Sequence, residues 1–293
     1  MTASASAKQG IMAHTGTTRL AGVIGWPILH SRSPRLHGFW LSSYGIDGAY
    51  LPLPVRPDQA QAAIRALPLL GFAGANVTLP HKEAALVAVD RATTQARRIG
   101  AVNTIAVTAD GSLEGSNSDA FGFLENLRAS APDWQPKRGP AVLIGAGGAA
   151  RAIAAALVDA GVPELRLVNR TMARAEQLAA DIGGPIKPCA WERNGAAMTD
   201  AALLVNSTTL GMKGQPPLEI DIGGMPPASV VYDIVYVPLE TPLLAAARNR
   251  GLTAVDGLGM LLHQARPGFA AWFGVEPQVT RELRDFLLAD LTA

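Results

Sequence analysis

Cysteine is almost missing from this chain of 293 residues; Cys189 is the only one. One thiol can form neither a disulfide within the chain nor a cysteine-based zinc site. Cys189 therefore reads as a small buried side chain, and its isolation suits a reducing, cytoplasmic setting. Charge of one sign is missing too. Lys and Arg number 25 against 24 Asp and Glu, a formal net charge of +1, and no Lys/Arg run stands out. That argues against a nucleic-acid partner or a polybasic membrane contact. No apolar stretch reaches the roughly 18 residues of a membrane span. The five histidines (His14, His30, His37, His81, His263) show no metal-ligand spacing, so no bound metal is expected. There is no GxSxG elbow, no phosphate-binding P-loop and no solenoid-length repeat. Residues 1–17 are small and polar and lack an apolar h-region; they read as a flexible tail and not as a signal peptide.

What is present is concentrated in Ala141–Arg170, AVLIGAGGAARAIAAALVDAGVPELRLVNR. An apolar run, a glycine cluster, an Ala-rich helix and a second apolar run make the layout of a dinucleotide-binding βαβ unit. Gly145 allows the sharp turn after Ala141–Ile144. Gly147 lets backbone approach a phosphate, and Ala150 takes the third fingerprint position. The phosphate-facing loop is then Gly145, Ala146, Gly147, Gly148 and Ala149, with helix N–H groups behind it. Sites for NAD usually carry an acid about 20 residues further on, bonded to the ribose 2′-OH. Here the second strand, Leu165–Val168, ends in Asn169-Arg170-Thr171. A guanidinium suits a 2′-phosphate where a carboxylate would repel it. Arg170, helped by Arg174, therefore points to NADP.

The chain is long enough for two domains. Strands are predicted at Leu20–Ile24, Ala49–Leu53 and Phe72–Val77, and a hairpin at Thr104–Thr108 and Ser112–Gly115 around Asp110-Gly111. Helices are predicted from Ser33-Pro34, with Ser33 as cap, over Asp58–Leu70, and over Ala120–Arg128. Beyond the glycine loop follow helix Met172–Asp181 and strands Ala202–Asn206, Val230–Ile234 and Thr253–Val255. Strands alternating with helices imply a parallel, doubly wound sheet. Helices Gly257–Ala265 and Gln278–Ala289 have no strand to follow, so they return to the first region. The fold class is α/β with two domains: an N-terminal α/β substrate domain, residues 18–118 plus 257–293, and an inserted Rossmann NADP-binding domain, residues 119–256. The cleft between them is the natural reaction site.

Polar clusters at strand ends suit that cleft. Asn76-Val77-Thr78-Leu79-Pro80-His81-Lys82 puts Lys82 one turn past a strand. Gly115-Ser116-Asn117-Ser118-Asp119 offers Asp119, either as a helix cap or as the acid partner of Lys82. The residues leave open whether Lys82 moves a proton or stabilises developing negative charge with Asp119 orienting it. Ser31 and Ser33 stand at a helix start, which attracts carboxylates. Asn103 sits at a strand entrance, and Gln264 lies on a helix with Leu261 and Leu262.

Taken in order, these motifs resemble the shikimate/quinate dehydrogenase family: Ser31-x-Ser33-Pro34, Asn76-Val77-Thr78-x-Pro80-x-Lys82, Ala101-Val102-Asn103-Thr104, Gly115-x-Asn117-x-Asp119, the Gly145–Ala150 loop, Asn169-Arg170-Thr171, Asn206–Met212, Asp233-x-x-Tyr236-x-Pro238-x-x-Thr241 and Gly259-Met260-Leu261-x-x-Gln264. The resemblance implies reversible NADPH-dependent reduction of 3-dehydroshikimate to shikimate, in the chorismate route to aromatic amino acids. It implies that Ser31 and Ser33 bind the substrate carboxylate with Tyr236 nearby. Thr78, Asn103, Asp119 and Gln264 would bond the ring hydroxyls, and Lys82 with Asp119 would be the catalytic pair. Asn169, Arg170, Thr171 and Arg174 would hold the 2′-phosphate. Thr208, Gly211, Met212 and Gly257 would line the nicotinamide side. A small polyol acid needs many matched hydrogen bonds, since each unmatched buried polar group costs about 1–3 kcal/mol. The family occurs as monomers or homodimers.

Three positions depart from the family pattern. Ser118 replaces a threonine, Thr209 replaces Ser or Pro, and Pro267 falls where the helix carrying Gln264 often continues, which predicts a break or kink there. Two other functions compete. One is a quinate/shikimate dehydrogenase with broader substrate or cofactor use; Arg170 counts against its NAD-preferring members. The other is a silent NADP-binding regulatory protein; retention of Lys82 and Asp119 counts against it.

Overall fold

The computed structural model describes residues 14–291. Most of the segment read as a tail, residues 1–13, lies outside the described residues. Just after it, the hydroxyls of Thr15 and Thr18 both donate to the Asp47 carboxylate.

The first sheet is built around β1 (Arg19–Gly25), whose last five residues are all buried. Cover on both faces explains that unbroken apolar run. β1 pairs in parallel with β2 (Gly48–Pro54) on one side and β3 (Phe72–Val77) on the other. The crossovers are α1 (Ser33–Ser43) and α2 (Ala60–Ala66). Next come α3 (Lys82–Ala88), the short strand β4 (Arg91–Ala92) and α4 (Thr94–Ile99). The hairpin β5 (Thr104–Val107) and β6 (Leu113–Ser116) adds antiparallel strands, in the order β2-β1-β3-β5-β6-β4.

Helix α5 (Asp119–Ser130) leads to the second sheet. There β7 (Ala141–Ile144), α6 (Gly148–Ala160), β8 (Leu165–Asn169), α7 (Met172–Ile182), β9 (Ile186–Ala190) and α8 (Asn194–Met198) form the first half. β10 (Leu203–Asn206), β11 (Val230–Asp233), α9 (Pro242–Asn249) and β12 (Thr253–Val255) form the second. All pairings are parallel, in the order β12-β11-β10-β7-β8-β9. This is the doubly wound Rossmann order, with its switch point between β7 and β10, where such sheets bind ligands.

The chain then returns. α10 (Leu258–Phe273) and α11 (Arg281–Leu291) share one core with β1 and α1, through Leu262, Phe269, Trp272 and Leu283 against Val23, Leu36 and Trp40. Trp272 Nε1 donates to the Ile105 carbonyl at 2.9 Å.

Several local expectations are corrected. Ser33 is the first residue of α1 and not its cap; Arg32 takes that place, with no side-chain cap bond. The helix predicted to reach Leu70 stops at Ala66, two residues before Pro68. Pro267 does not break α10: the helix runs through it, because Ala265, Gly268, Phe269 and Trp272 are buried around it. β9 and α9 have no counterpart in the sequence reading. β9 sits at the sheet edge, where Pro188 costs no central ladder bond. Cys189 on β9 is half-buried, and burial pushes its thiol pKa up.

Candidate active site

On the first sheet, strand ends deliver the polar groups. Lys82 opens α3 just past β3, and its carbonyl accepts from the Val102 amide at 2.9 Å. Asp119 opens α5 after β6. The N-cap is Ser118, without a side-chain cap bond, so the Asp119 carboxylate does not cap its own helix. It meets Lys82 instead, with Nζ to Oδ2 at 2.5 Å. Asn103 Nδ2 donates to the other oxygen at 2.8 Å. Asp119 is only 7% exposed, and a carboxylate that buried needs both an ion-pair partner and hydrogen bonds. Ser118 joins the cluster: its amide donates to Asn103 Oδ1 at 2.8 Å, and its hydroxyl lies 3.5 Å from Gln264 Oε1. Lys82, Asn103, Ser118, Asp119 and Gln264 thus form one contiguous set from three helices and two loops.

Two residues that the sequence reading left without a role extend the set. Asn76, buried on β3, donates through Nδ2 to the Asn103 carbonyl at 3.1 Å and accepts from the Tyr50 hydroxyl at 2.7 Å. Burial pushes the Tyr50 phenol pKa up, and a hydrogen bond with Ser33 works against that. Ser33, whose amide donates to Ser31 Oγ at 3.3 Å, is therefore linked through Tyr50 and Asn76 to Asn103. The available signal was an amide inside the apolar strand FAGANV. Thr78 follows β3 directly, its amide on the Ile24 carbonyl at 2.9 Å. Tyr236 reaches this side from the second sheet. Burial raises its pKa, and the Arg32 charge pulls it back.

The second sheet carries the glycine loop. Gly145 turns the chain after β7 at φ +104, and a Cβ there would stand 2.8 Å from Thr208 Cγ2. Gly147 caps α6, and Gly147 and Gly148 both face open space. Ala146 and Ala149 are half-buried beneath them, and Ala150 is fully buried. The Gly145 amide bonds the Val168 carbonyl at 2.9 Å, which sets the loop beside the end of β8. There Asn169 Nδ2 donates to the Thr171 carbonyl at 2.8 Å, and Thr171 stands at the N-cap position of α7 without a side-chain cap bond. Arg170 and Arg174 are exposed, and neither pairs with a carboxylate among the described residues.

A buried pair braces the rim. Asp233, fully buried at the end of β11, accepts from Asn206 Nδ2 at 2.9 Å and from the Thr241 hydroxyl at 2.7 Å. Burial raises its pKa, and these bonds work against the rise. Asn206 Oδ1 in turn accepts from the Thr208 amide and hydroxyl at 3.0 and 2.8 Å. The Gly211–Met212 turn is tied to the Tyr236 loop by Lys213 N to the Val237 carbonyl at 2.8 Å. The Gly257 amide bonds the Val235 carbonyl at 3.3 Å. Thr208, Gly211, Met212, Tyr236 and Gly257 therefore border one rim. The bracing roles of Asn206 and Asp233 were not assigned from sequence. Among the described residues no group of three or more His, Cys, Asp or Glu could hold a metal ion, and no helix is long and apolar enough to cross a membrane.

A family model described as "Shikimate dehydrogenase substrate binding domain" matches residues 23–105, and one described as "Shikimate / quinate 5-dehydrogenase" matches residues 130–211. A Paramagnetospirillum magneticum protein named shikimate dehydrogenase (NADP(+)) is 62% identical over 275 residues, 94% of this chain and 100% of that one. The chain belongs to the shikimate dehydrogenase family. Among solved structures, shikimate 5-dehydrogenase from Thermus thermophilus in complex with NADP(H) and shikimate aligns with TM-score 0.82 and 37% identity, over 93% of this chain and 100% of that one. Quinate dehydrogenase from Corynebacterium glutamicum in complex with NAD aligns with TM-score 0.86 and 32% identity, over 93% and 99%. Within the family frame the departures have definite places. The Ser118 hydroxyl reaches Asn103 Oδ1 at 3.2 Å and Gln264 Oε1 at 3.5 Å, and Ser118 differs from a threonine by one methyl. Thr209 is exposed, and its carbonyl accepts from the Met212 amide at 3.1 Å.

Proposed function

We propose that this protein catalyses the reversible NADPH-dependent reduction of 3-dehydroshikimate to shikimate, a step on the chorismate route to aromatic amino acids. The observation that carries this reading is the Lys82–Asp119 pair at 2.5 Å, its carboxylate buried and bonded on its other oxygen to Asn103. The glycine loop fits a dinucleotide because Gly147 and Gly148 leave its face open at the start of α6. Arg170 and Arg174, exposed beside it, fit a 2′-phosphate. Asn169 and Thr171 shape that corner, and Thr208, Gly211, Met212 and Gly257 line the nicotinamide side. When bound, NADPH supplies the hydride.

The chain's own residues do the rest. Ser31 and Ser33, at the start of α1, take the substrate carboxylate, with Tyr236 beside them. Thr78, Asn103, Asp119 and Gln264 bond the ring hydroxyls. Lys82 gives one N–H to Asp119 and presents its remaining donors to the ketone oxygen, where it holds the proton as negative charge develops. Asp119, gripped by Asn103, fixes the ammonium in place. The substrate-binding unit comprises residues 18–118 and 257–293, and the cofactor unit residues 119–256. The core that α10 and α11 share with β1 supports that division. The enzyme works in the cytoplasm, where a lone thiol needs no oxidising partner.

Steady-state rates with shikimate and quinate, each with NADP and NAD, test the reading. Shikimate with NADP should give the highest kcat/KM. Faster turnover of quinate would replace the substrate assignment, and no turnover of either would overturn the function.

A further inference from the structure

We infer that Asn126 is a positioning residue for this reaction, clamping α5 to the second sheet so that Asp119 and the Gly257 turn keep a fixed separation. The inference rests on the function proposed above. Asn126 is 4% exposed, two helical turns beyond Asp119 and about 10 Å from it along the axis, too far to touch substrate. Its amide nitrogen uses both hydrogens, one on the second sheet and one on the loop that leaves it. One goes to the Tyr232 hydroxyl at 2.7 Å, the other to the Asp256 carbonyl at 2.8 Å. Its oxygen accepts from the Ser130 hydroxyl at 3.3 Å. One helical turn back, Phe123 stacks on the same Tyr232 ring, centroids 4.9 Å apart.

Each tied segment runs on to the site. The chain leaves β11, which carries Tyr232, after Asp233 and runs on to Tyr236. Asp256 precedes Gly257, which lies against the Ile234 carbonyl and leads into α10 and Gln264. The helices α5 and α10 meet at two notches. A Cβ on Gly122 would stand 2.5 Å from Gln264 Cβ, and one on Gly259 would stand 1.8 Å from Asn126 Oδ1. Packing alone would be met by an apolar side chain. A buried amide with every hydrogen spent on a different segment fixes direction as well as distance. Hydride transfer is sensitive to such distances, because small misplacements far from the chemistry slow it steeply.

Asn126→Leu removes both donors at similar size, and Tyr232→Phe removes only the hydroxyl. In each variant that folds by circular dichroism, NADPH and shikimate Kd should stay within about twofold, while kcat falls about tenfold or more and the deuterium isotope effect on kcat, measured with 4-deuterated NADPH, rises. If Asn126→Leu does not fold, Tyr232→Phe decides. A folded variant with unchanged kcat, or with lower kcat and an unchanged isotope effect, overturns the positioning role. Unmutated protein that turns over no shikimate overturns instead the function on which this inference rests.

Discussion

At the scale of single residues, the site depends on where charge is paired and where it is left free. Lys82 is paired with a buried carboxylate. Lys82→Ala should lower kcat by about 10²–10⁴-fold, the usual worth of a positioned proton donor, with NADPH affinity nearly unchanged by fluorescence titration. An unchanged rate would remove Lys82 from the chemistry. Arg170 is exposed and unpaired among the described residues. Arg170→Asp should weaken NADPH by about 10–100-fold, since a charged hydrogen bond contributes about 1.5–3 kcal/mol, and should leave NADH much less affected. Equal losses for both cofactors would count against the 2′-phosphate role. Both residues were legible in the sequence by type and place. Their contrasting environments were not, because pairing depends on which strand ends meet.

At the scale of elements, the glycine turn after β7 and the polar brace behind β11 frame the proposed cofactor wall. Gly145→Val should abolish NADPH binding in a folded protein, because φ +104 disfavours a β-branched residue and the side chain would meet Thr208 and Ser207. Retained affinity by calorimetry would show that the turn relaxes. Thr241→Val removes both the cap of α9 and a bond to buried Asp233. Urea melts should show a loss of about 1–3 kcal/mol; no loss would mean water replaces the hydroxyl. Most strands and long helices could be read from periodicity, including β3 over Phe72–Val77. β9 could not, because a half-buried edge strand carrying Pro188 lacks a clean alternation. α9 was readable from Thr241-Pro242, a cap followed by a first-turn proline. Pro267 misled in the other direction: a local helix breaker was overruled by tertiary burial on both sides of it.

At the scale of the whole molecule, one source of acid sensitivity is a buried ring. His37 is fully buried, stacked on Tyr50 at 3.9 Å, and burial lowers its pKa from 6.5 to about 3. The unfolded chain regains the ordinary value, so below pH 6.5 it binds a proton that the folded chain refuses. This contribution to stability is full above pH 6.5 and is lost as pH falls toward 3, by up to about 1.4 kcal/mol per pH unit. The lowered pKa of half-buried His263 acts in the same direction. Denaturant melts at pH 7 and pH 5 should show a smaller acid loss for His37→Leu than for the unmutated chain. Equal losses would assign the acid sensitivity elsewhere. The sequence by itself determined the strand–glycine–helix unit, the lack of an acid after β8 that points to NADP, and the polar residue types at the strand ends. These depend on local backbone geometry and on side-chain chemistry within a few positions. Only the tertiary structure decided that Asp119 bonds Lys82 instead of capping α5, that Tyr50 and Asn76 join Ser33 to Asn103, and that α5 is held to β11 and to the start of α10. Those contacts join residues up to about 150 positions apart, as between Ser118 and Gln264. Most of them exist because β1, β2, β3, β5 and β6 lie side by side in one sheet and α10 returns to pack on it.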